Sequence, residues 1–255
     1  MIDIHAHILP AVDDGAYSLE ESLRMIKMAE ASGVRAIVAT PHCNIPGAFK
    51  NYASEELAER LQILQQAVKA AGIKVDIVRG AEIFATKNTP RFLEEGKAWT
   101  INNTKYFLVE FAFHEDPEFC MMILEDCYDA GFVPVIAHPE RYYFVQEDPQ
   151  IVYEWYCHGY GIQINKGSLL GRFGRSAYET AQLFMEHGLV SCVSSDAHSA
   201  KQRTPHMLEV KRLIDEQYGV DYRKMVLEIN PERILRGERL ERLEPIPFIN
   251  KFRYQ

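Results

Sequence analysis

Nothing in the 255-residue sequence approaches the roughly 18 uninterrupted apolar residues that a membrane-crossing helix needs. The N-terminal run Met1-Ile2-Asp3-Ile4-His5 has neither the basic region nor the apolar stretch of a secretion signal, so a cytoplasmic location is the expectation. Basic residues are the minority: 28 Lys and Arg against 36 Asp and Glu leave a formal net charge of -8. Such a balance supplies no whole-molecule field to attract nucleic acid or anionic lipid, so neither is expected as a partner. Cysteine is sparse as well. Cys43, Cys120, Cys127, Cys157 and Cys192 form no CxxC. Cys120 and Cys127, on one helix, would stand about 10 Å apart along its axis, beyond disulfide reach. All five are expected as reduced thiols, mostly in the core.

Several chemistries are excluded by missing motifs. No cysteine is followed six positions later by an arginine, so a thiol-phosphatase loop is absent. There is no GxxxxGK[ST], no GxSxG and no GxGxxG, which removes the phosphate-cradling NTPase, serine-hydrolase and dinucleotide readings. Hydrolysis by this chain would have to lean on metal.

What is present is a regular alternation of strand-like and helix-like segments, with 47% apolar residues and no low-complexity linker. Strands are expected at residues 2–5, 34–40, 75–80, 106–111, 132–137, 161–165 and 189–194. The helices between them carry their own signals. Ser18 with Glu21 reads as a capping box, Leu19, Leu23 and Ile26 form one apolar face, and Gly33 supplies the stop. Leu57, Leu61, Leu64 and Val68 repeat the pattern up to Gly72, and Asp116-Pro117 opens a helix that ends at Gly131. Strands apolar on both faces, such as Tyr106-Phe-Leu-Val-Glu, suit a parallel sheet covered by helices. Pro134 is an objection to a central strand there. Seven βα units predict an α/β fold, a TIM-like barrel, with a doubly wound open sheet as the structural alternative. One domain over residues 1–255 is expected, with 241–255 as a C-terminal tail whose Pro-Ile-Pro-Phe-Ile stretch packs on the barrel.

The informative pattern is where metal-binding residue types fall. His5 and His7 follow the first strand, Asp14 lies in the loop after it, and His42 follows the second. Glu82 follows the third, Glu110 ends the fourth, His138 follows the fifth, and Asp196 and His198 follow the seventh. The sixth offers only Asn165 and Lys166. These are the strand ends at which such barrels assemble sites. Taken singly, a buried histidine is usually a satisfied core residue, and Asp14 beside Gly15 is usually a turn carboxylate. Five of the nine histidines and four carboxylates at strand mouths together make a metal site the better reading. Nine donors exceed the four of one tetrahedral ion, which favours two or three ions sharing carboxylate bridges. Imidazole and carboxylate ligands leave the metal open among manganese, iron, zinc and magnesium. His114, His158 and His187 fall outside the pattern, and His206 reads as a helix start. Arg141, in His138-Pro-Glu-Arg, and Arg203, five residues after His198, are the candidates to bind phosphate oxygens, although surface arginines are ordinarily solvated.

His5-Ala-His7, Asp13-Asp14-Gly15, Thr40-Pro-His42, Gly80-Ala-Glu82, Val109-Glu110-Phe111, Ala137-His138-Pro-Glu-Arg141 and Ser195-Asp196-Ala-His198 together resemble the polymerase-and-histidinol-phosphatase (PHP) superfamily. More narrowly, the opening Ile-Asp-Ile-His-Ala-His-Ile, Val-Asp-Asp-Gly, Gly-Ala-Glu-Ile and Arg203-Thr-Pro-His-Met are similar to the bacterial manganese-dependent protein-tyrosine phosphatases of capsule and exopolysaccharide operons, the CpsB/YwqE type. The resemblance implies a distorted (β/α)7 barrel with three divalent ions. His5, His7, Glu82 and Asp196 would hold one; Glu82, Glu110 and His138 a second; Asp14, His42 and His198 the third. It further implies hydrolysis of phosphotyrosine on a cognate bacterial tyrosine kinase with a phosphorylated C-terminal tail. The expected mechanism is in-line attack by a metal-activated water, with Arg141 and Arg203 binding the developing oxyanions. A small-molecule phosphatase such as histidinol-phosphate phosphatase, and a non-catalytic phosphotyrosine-binding regulator, are the alternatives. Oligomeric state has no signature in the sequence.

Overall fold

Nine strand segments carry the fold in a computed structural model that describes residues 1–248; the end of the expected tail, 249–255, lies outside the described residues. They are β1 (Ile2–Ala6), β2 (Ala36–Ala39), β3 (His42–Cys43), β4 (Asp76–Arg79), β5 (Glu82–Phe84), β6 (Tyr106–Glu110), β7 (Val133–Ala137), β8 (Gly161–Asn165) and β9 (Cys192–Ser194). Every pairing is parallel, in the orders β1-β2-β4 and β3-β5-β6-β7-β8-β9. The second and third expected strands are each interrupted, giving β2/β3 and β4/β5. Pro41 has no amide proton to offer the ladder. At Gly80, a Cβ would stand 2.6 Å from Val38 Cγ1, so the second break occurs where the Val38 side chain of the neighbouring strand fills the space a side chain would need.

Hydrogen bonds bridge the breaks, from Thr40 N to Ala6 O and from Glu82 N to Pro41 O. The ring is joined between β1 and β9 by a single parallel bridge, Ala6 to Ala197, flanked by His7 N to Ala197 O and Asp196 N to His5 O. The architecture is therefore a seven-fold βα barrel distorted at two strands. Pro134 fits because β8 begins its pairing only at Val135↔Gly161, so the missing amide falls before that ladder starts.

Among the described residues, eleven α-helices and one π-turn follow the strands or cap the ring: α1 (Leu19–Ala31), α2 (Glu55–Ala70), α3 (Thr89–Glu94), α4 (Pro117–Asp129), α5 (Tyr143–Glu147), α6 (Gln150–Cys157), α7 (Lys166–Leu169), α8 (Arg175–Glu186), α9 (Leu208–Gln217), α10 (Val220–Lys224), the π-turn (Met225–Ile229) and α11 (Asn230–Arg236). Ser18, Ser54 and Asp116 each accept from a backbone amide two or three residues on, as N-caps should. The capping box at α1 is only half formed. Glu21 turns away from Ser18 and accepts from Ala200 N, tying α1 to the loop after β9.

Ile2, Ile4, Ala36, Val38, Tyr106, Leu108, Val135 and Ala137 take alternate positions on neighbouring strands and form one apolar cluster inside the ring. A larger cluster fills the space between strands and helices. Four of the five free cysteines are buried, and Cys157 is exposed. The expected tail begins against the barrel: Tyr156 donates to Leu243 O, Ile246 N to His187 O, and Phe248 stacks on His187 with centroids 4.1 Å apart.

Candidate metal centre

The strand ends deliver all nine candidate donors to one mouth. His5 Nε2 lies 3.3 Å from His7 Nε2, 3.2 Å from Glu82 Oε1 and 3.5 Å from Asp196 Oδ1. His7 Nε2 is 3.1 Å from Glu82 Oε2, and His138 Nε2 is 2.8 Å from Glu82 Oε1. His42 Nδ1 is 3.0 Å from Glu82 Oε2 and 3.1 Å from Glu110 Oε1. His42 Nε2 and His198 Nε2 each stand 3.5 Å from Asp14 Oδ1. Glu82 sits at the centre because β5 is flanked by β3 and β6, with His42 directly opposite Glu82 in the ladder.

Four overlapping groups can each converge on a point: His7, Asp14, His42 and His198; His5, His7 and Asp196; His5, Glu82 and His138; His42, Glu82 and Glu110. The grouping differs from the partition implied by resemblance, because His42 faces both Asp14 and the Glu82–Glu110 pair. That follows from its register beside Glu82, while His138 is 3.9 Å from Glu110.

Divalent ions fit this donor set. Several of the contacts are close without being hydrogen bonds: Glu82 Oε2, Glu110 Oε1, Asp196 Oδ1 and His42 Nδ1 are buried and have no hydrogen-bond partner among the described residues. Two ligands bound to one ion at about 2.0–2.2 Å are separated by about 3.0–3.4 Å, close to the spacings found here. Four buried polar atoms left unpaired would otherwise be costly.

The outer partners fix how the donors present themselves. His5 Nδ1 donates to Gln163 Oε1 at 2.8 Å and His7 Nδ1 to Asp13 Oδ2 at 2.8 Å, so both rings turn Nε2 into the mouth. Gln163 Nε2 donates to Asn165 Oδ1, and Asn165 Nδ2 to Asp196 Oδ2 at 2.6 Å. The sixth strand, which offers no strong ligand in sequence, thus orients donors from the first and seventh. Its polar alternation at Gln163 and Asn165 was the available signal. Asp13 stands beside Asp14 in sequence, and only the fold separates the partner of His7 from the half-exposed Asp14.

Electrostatically, Asp13, Asp14, Glu82 and Asp196 are shifted towards the anion and His5, His7 and His42 towards the cation. Burial opposes the charge on His7 and His42, but Asp13 and Glu82 raise His7 to about 9, while Glu110 and Glu82 raise His42 to about 11. Burial also works against Glu82 and Asp196, and the nearby His5 overcomes it in both, holding each below the usual carboxylate range. His198 goes the other way, lowered by burial and by His7. The backbone is strained where the site is tightest: His138, Asp196 and Arg203 adopt φ of 37°, 48° and 48°.

Arg141 and Arg203 meet at Asp196 Oδ2, at 3.4 and 2.5 Å. His206 is not in the cluster; its carbonyl accepts from Lys166 Nζ ahead of α9. His114 lies against Tyr143 at 4.5 Å, while His158 and His187 end helices α6 and α8.

A distorted (β/α)7 barrel with this mouth defines a metal-dependent phosphatase. The chain belongs to the capsular polysaccharide synthesis CpsB/CapC family, whose model matches residues 1–236. It is 35% identical over 247 residues to the tyrosine-protein phosphatase YwqE of Bacillus subtilis (strain 168), spanning 97% of this chain and 96% of that protein. It is 33% identical over 240 residues to the tyrosine-protein phosphatase CpsB of Streptococcus pneumoniae, spanning 92% and 98%. Among solved structures, YwqE and CpsB are described as metal-dependent tyrosine phosphatases; that match has a TM-score of 0.91 at 34% identity, covering 98% of this chain and 100% of the other. The histidinol phosphate phosphatase of Lactococcus lactis shares the fold, with a TM-score of 0.55 at 14% identity over 86% of this chain and 93% of the other.

Proposed function

We propose that this chain hydrolyses phosphotyrosine on proteins, using three divalent ions, manganese foremost, held by the nine donors. The natural substrate is the phosphorylated C-terminal tail of a bacterial tyrosine kinase that controls capsule or exopolysaccharide synthesis, and the enzyme works in the cytoplasm as one domain that includes the 241–255 tail. The observation that carries the reading is the convergence of Arg141 and Arg203 on Asp196 at the edge of the donor cluster.

Bound ions supply Lewis-acid charge and lower the pKa of water at the site. The chain's own residues do the rest. Arg141 and Arg203 offer planar, fixed guanidinium forks to the phosphoryl oxygens, and Asp196 holds the two forks together from a fully buried position. His5 and His7 are locked by Gln163 and Asp13, so donor positions are set before substrate arrives. The phenol of tyrosine has a pKa of about 10 and leaves more easily than an alkoxide, which reduces the need for a general acid.

Arg141→Ala and Arg203→Ala should each lower kcat/KM for a phosphotyrosine peptide by about 10- to 1,000-fold. Unchanged kinetics in both would remove the arginines from the mechanism. Comparing phosphotyrosine peptide with histidinol phosphate under the same conditions tests the substrate class.

A further inference from the structure

Arg141 and Arg203 lie beside aromatic rings that the reaction as described does not use. Arg141 Cζ is 5.0 Å from the centroid of Phe113 and 4.6 Å from that of Phe173, and Arg203 Cζ is 5.7 Å from Phe173. Phe113 comes from the segment between β6 and α4, and Phe173 from the turn between α7 and α8. Two separate loops therefore bring half-buried rings to one guanidinium. Among the described residues, Phe173 packs against neither apolar cluster. The fold does not need it for core burial, yet its seat is specific. A Cβ on Gly167 would stand 2.6 to 3.1 Å from three atoms of the ring, so the ring lies where only glycine admits it.

We propose that Phe113 and Phe173 form an aryl slot beside the phosphate-binding arginines, taking the phenyl ring of phosphotyrosine and setting a preference for aryl over alkyl phosphate esters. The inference rests on the phosphatase reading above. A phosphoryl group seated on Arg141 leaves the substituent of its ester oxygen a few ångströms away, a distance comparable to that from the guanidinium to the two rings packed against it, so the exposed parts of those rings are what the substituent meets. Aromatic pairs are favoured at centroid separations of about 4.5–7 Å in offset or edge-to-face geometry. A serine phosphate places a single methylene and polar backbone there instead, leaving the rings partly against water. The arginines thus read the phosphate, and the rings read what it is attached to.

The test uses the metal-loaded full chain with phenyl phosphate and glycerol 2-phosphate as substrates and inorganic phosphate as inhibitor. Phe113→Leu and Phe173→Leu keep apolar volume but remove the ring. Gly167→Ala leaves both phenylalanines in place and displaces one. Each variant is expected to lower kcat/KM for phenyl phosphate about three- to tenfold, chiefly through KM. The value for glycerol 2-phosphate and the inhibition constant of phosphate should stay within about twofold. Parallel losses on both substrates, or phosphate inhibition weakened in step, would assign the rings to holding Arg141 alone and overturn the slot. An unchanged aryl-to-alkyl ratio in an active enzyme overturns the slot but leaves the phosphatase reading standing. An unsubstituted, metal-loaded chain inactive on phenyl phosphate overturns both.

Discussion

His5 and His7 owe their orientation to Gln163 and Asp13, two residues whose types alone say little about metal. Replacing Gln163 with Leu or Asp13 with Ala removes the acceptor that fixes each ring, and partners of this kind are typically worth about 10- to 100-fold in metal affinity or activity. Competition with a chromogenic chelator measures this directly; affinity within twofold of the parent would show that the rings are held by the barrel alone. The nine candidate donors could be gathered from the sequence because all but Asp14 sit at or just beyond a strand end, where chain order and barrel geometry coincide. Gln163 could not, because its role depends on barrel closure bringing it opposite His5, and Asp13 could not, because the path of the loop after β1 is what turns it towards His7. His5 meets Gln163 across the mouth, 158 positions away in sequence.

Between strands, short segments decide how the donors are placed. A Cβ on Gly15 would stand 2.3 Å from His7 O and 2.4 Å from His7 Cβ, and backbone cannot yield as a side-chain tip can. Gly15→Ala should therefore displace His7, lowering both metal content and Tm. Lys166 acts on the other side of the mouth. Burial pushes its ammonium down to about 8, and it donates to Thr204 O and His206 O, bracing the segment that follows Arg203. Lys166→Met leaves two carbonyls without their donor and should cost about 1–3 kcal/mol in urea unfolding. A destabilisation below a few tenths would mean that the segment holds itself.

At this scale the sequence was only partly legible. Capping residues and glycine stops located α1, α2 and α4, yet Thr40-Pro41 and Gly80-Ala81 read as strand ends when each is an interruption. The resumed segments β3 and β5 are two and three residues long, too short for alternation to register, although they carry His42 and Glu82.

For the whole molecule, protons and metal ions compete for one cluster. His7 and His42 are raised from 6.5 to about 9 and about 11, so in the metal-free protein their stabilising contribution is complete below pH 6.5 and is lost as pH rises through those values. Metal requires the unprotonated imidazole, so its affinity rises over the same window. The rise in Tm on adding manganese should therefore be larger at pH 8 than at pH 6, while the chelated protein loses Tm towards pH 10. A manganese effect that shrinks with pH would contradict the assignment of these histidines as ligands. The barrel was visible in the βα alternation, since each helix signal punctuates a strand. The step from phosphoester to phosphotyrosine has no signature in composition or spacing, and it draws on the likeness to YwqE and CpsB.

Phosphate release from a phosphotyrosine peptide by chelated protein titrated with manganese, with bound metal measured at each point, tests whether the nine donors hold the ions that make this barrel a phosphotyrosine phosphatase. Turnover absent at the start and rising with occupancy to about three ions per chain, each held by several of the nine donors, is the expected result. Full turnover after exhaustive chelation, or manganese bound in that amount with no phosphate released, would contradict it.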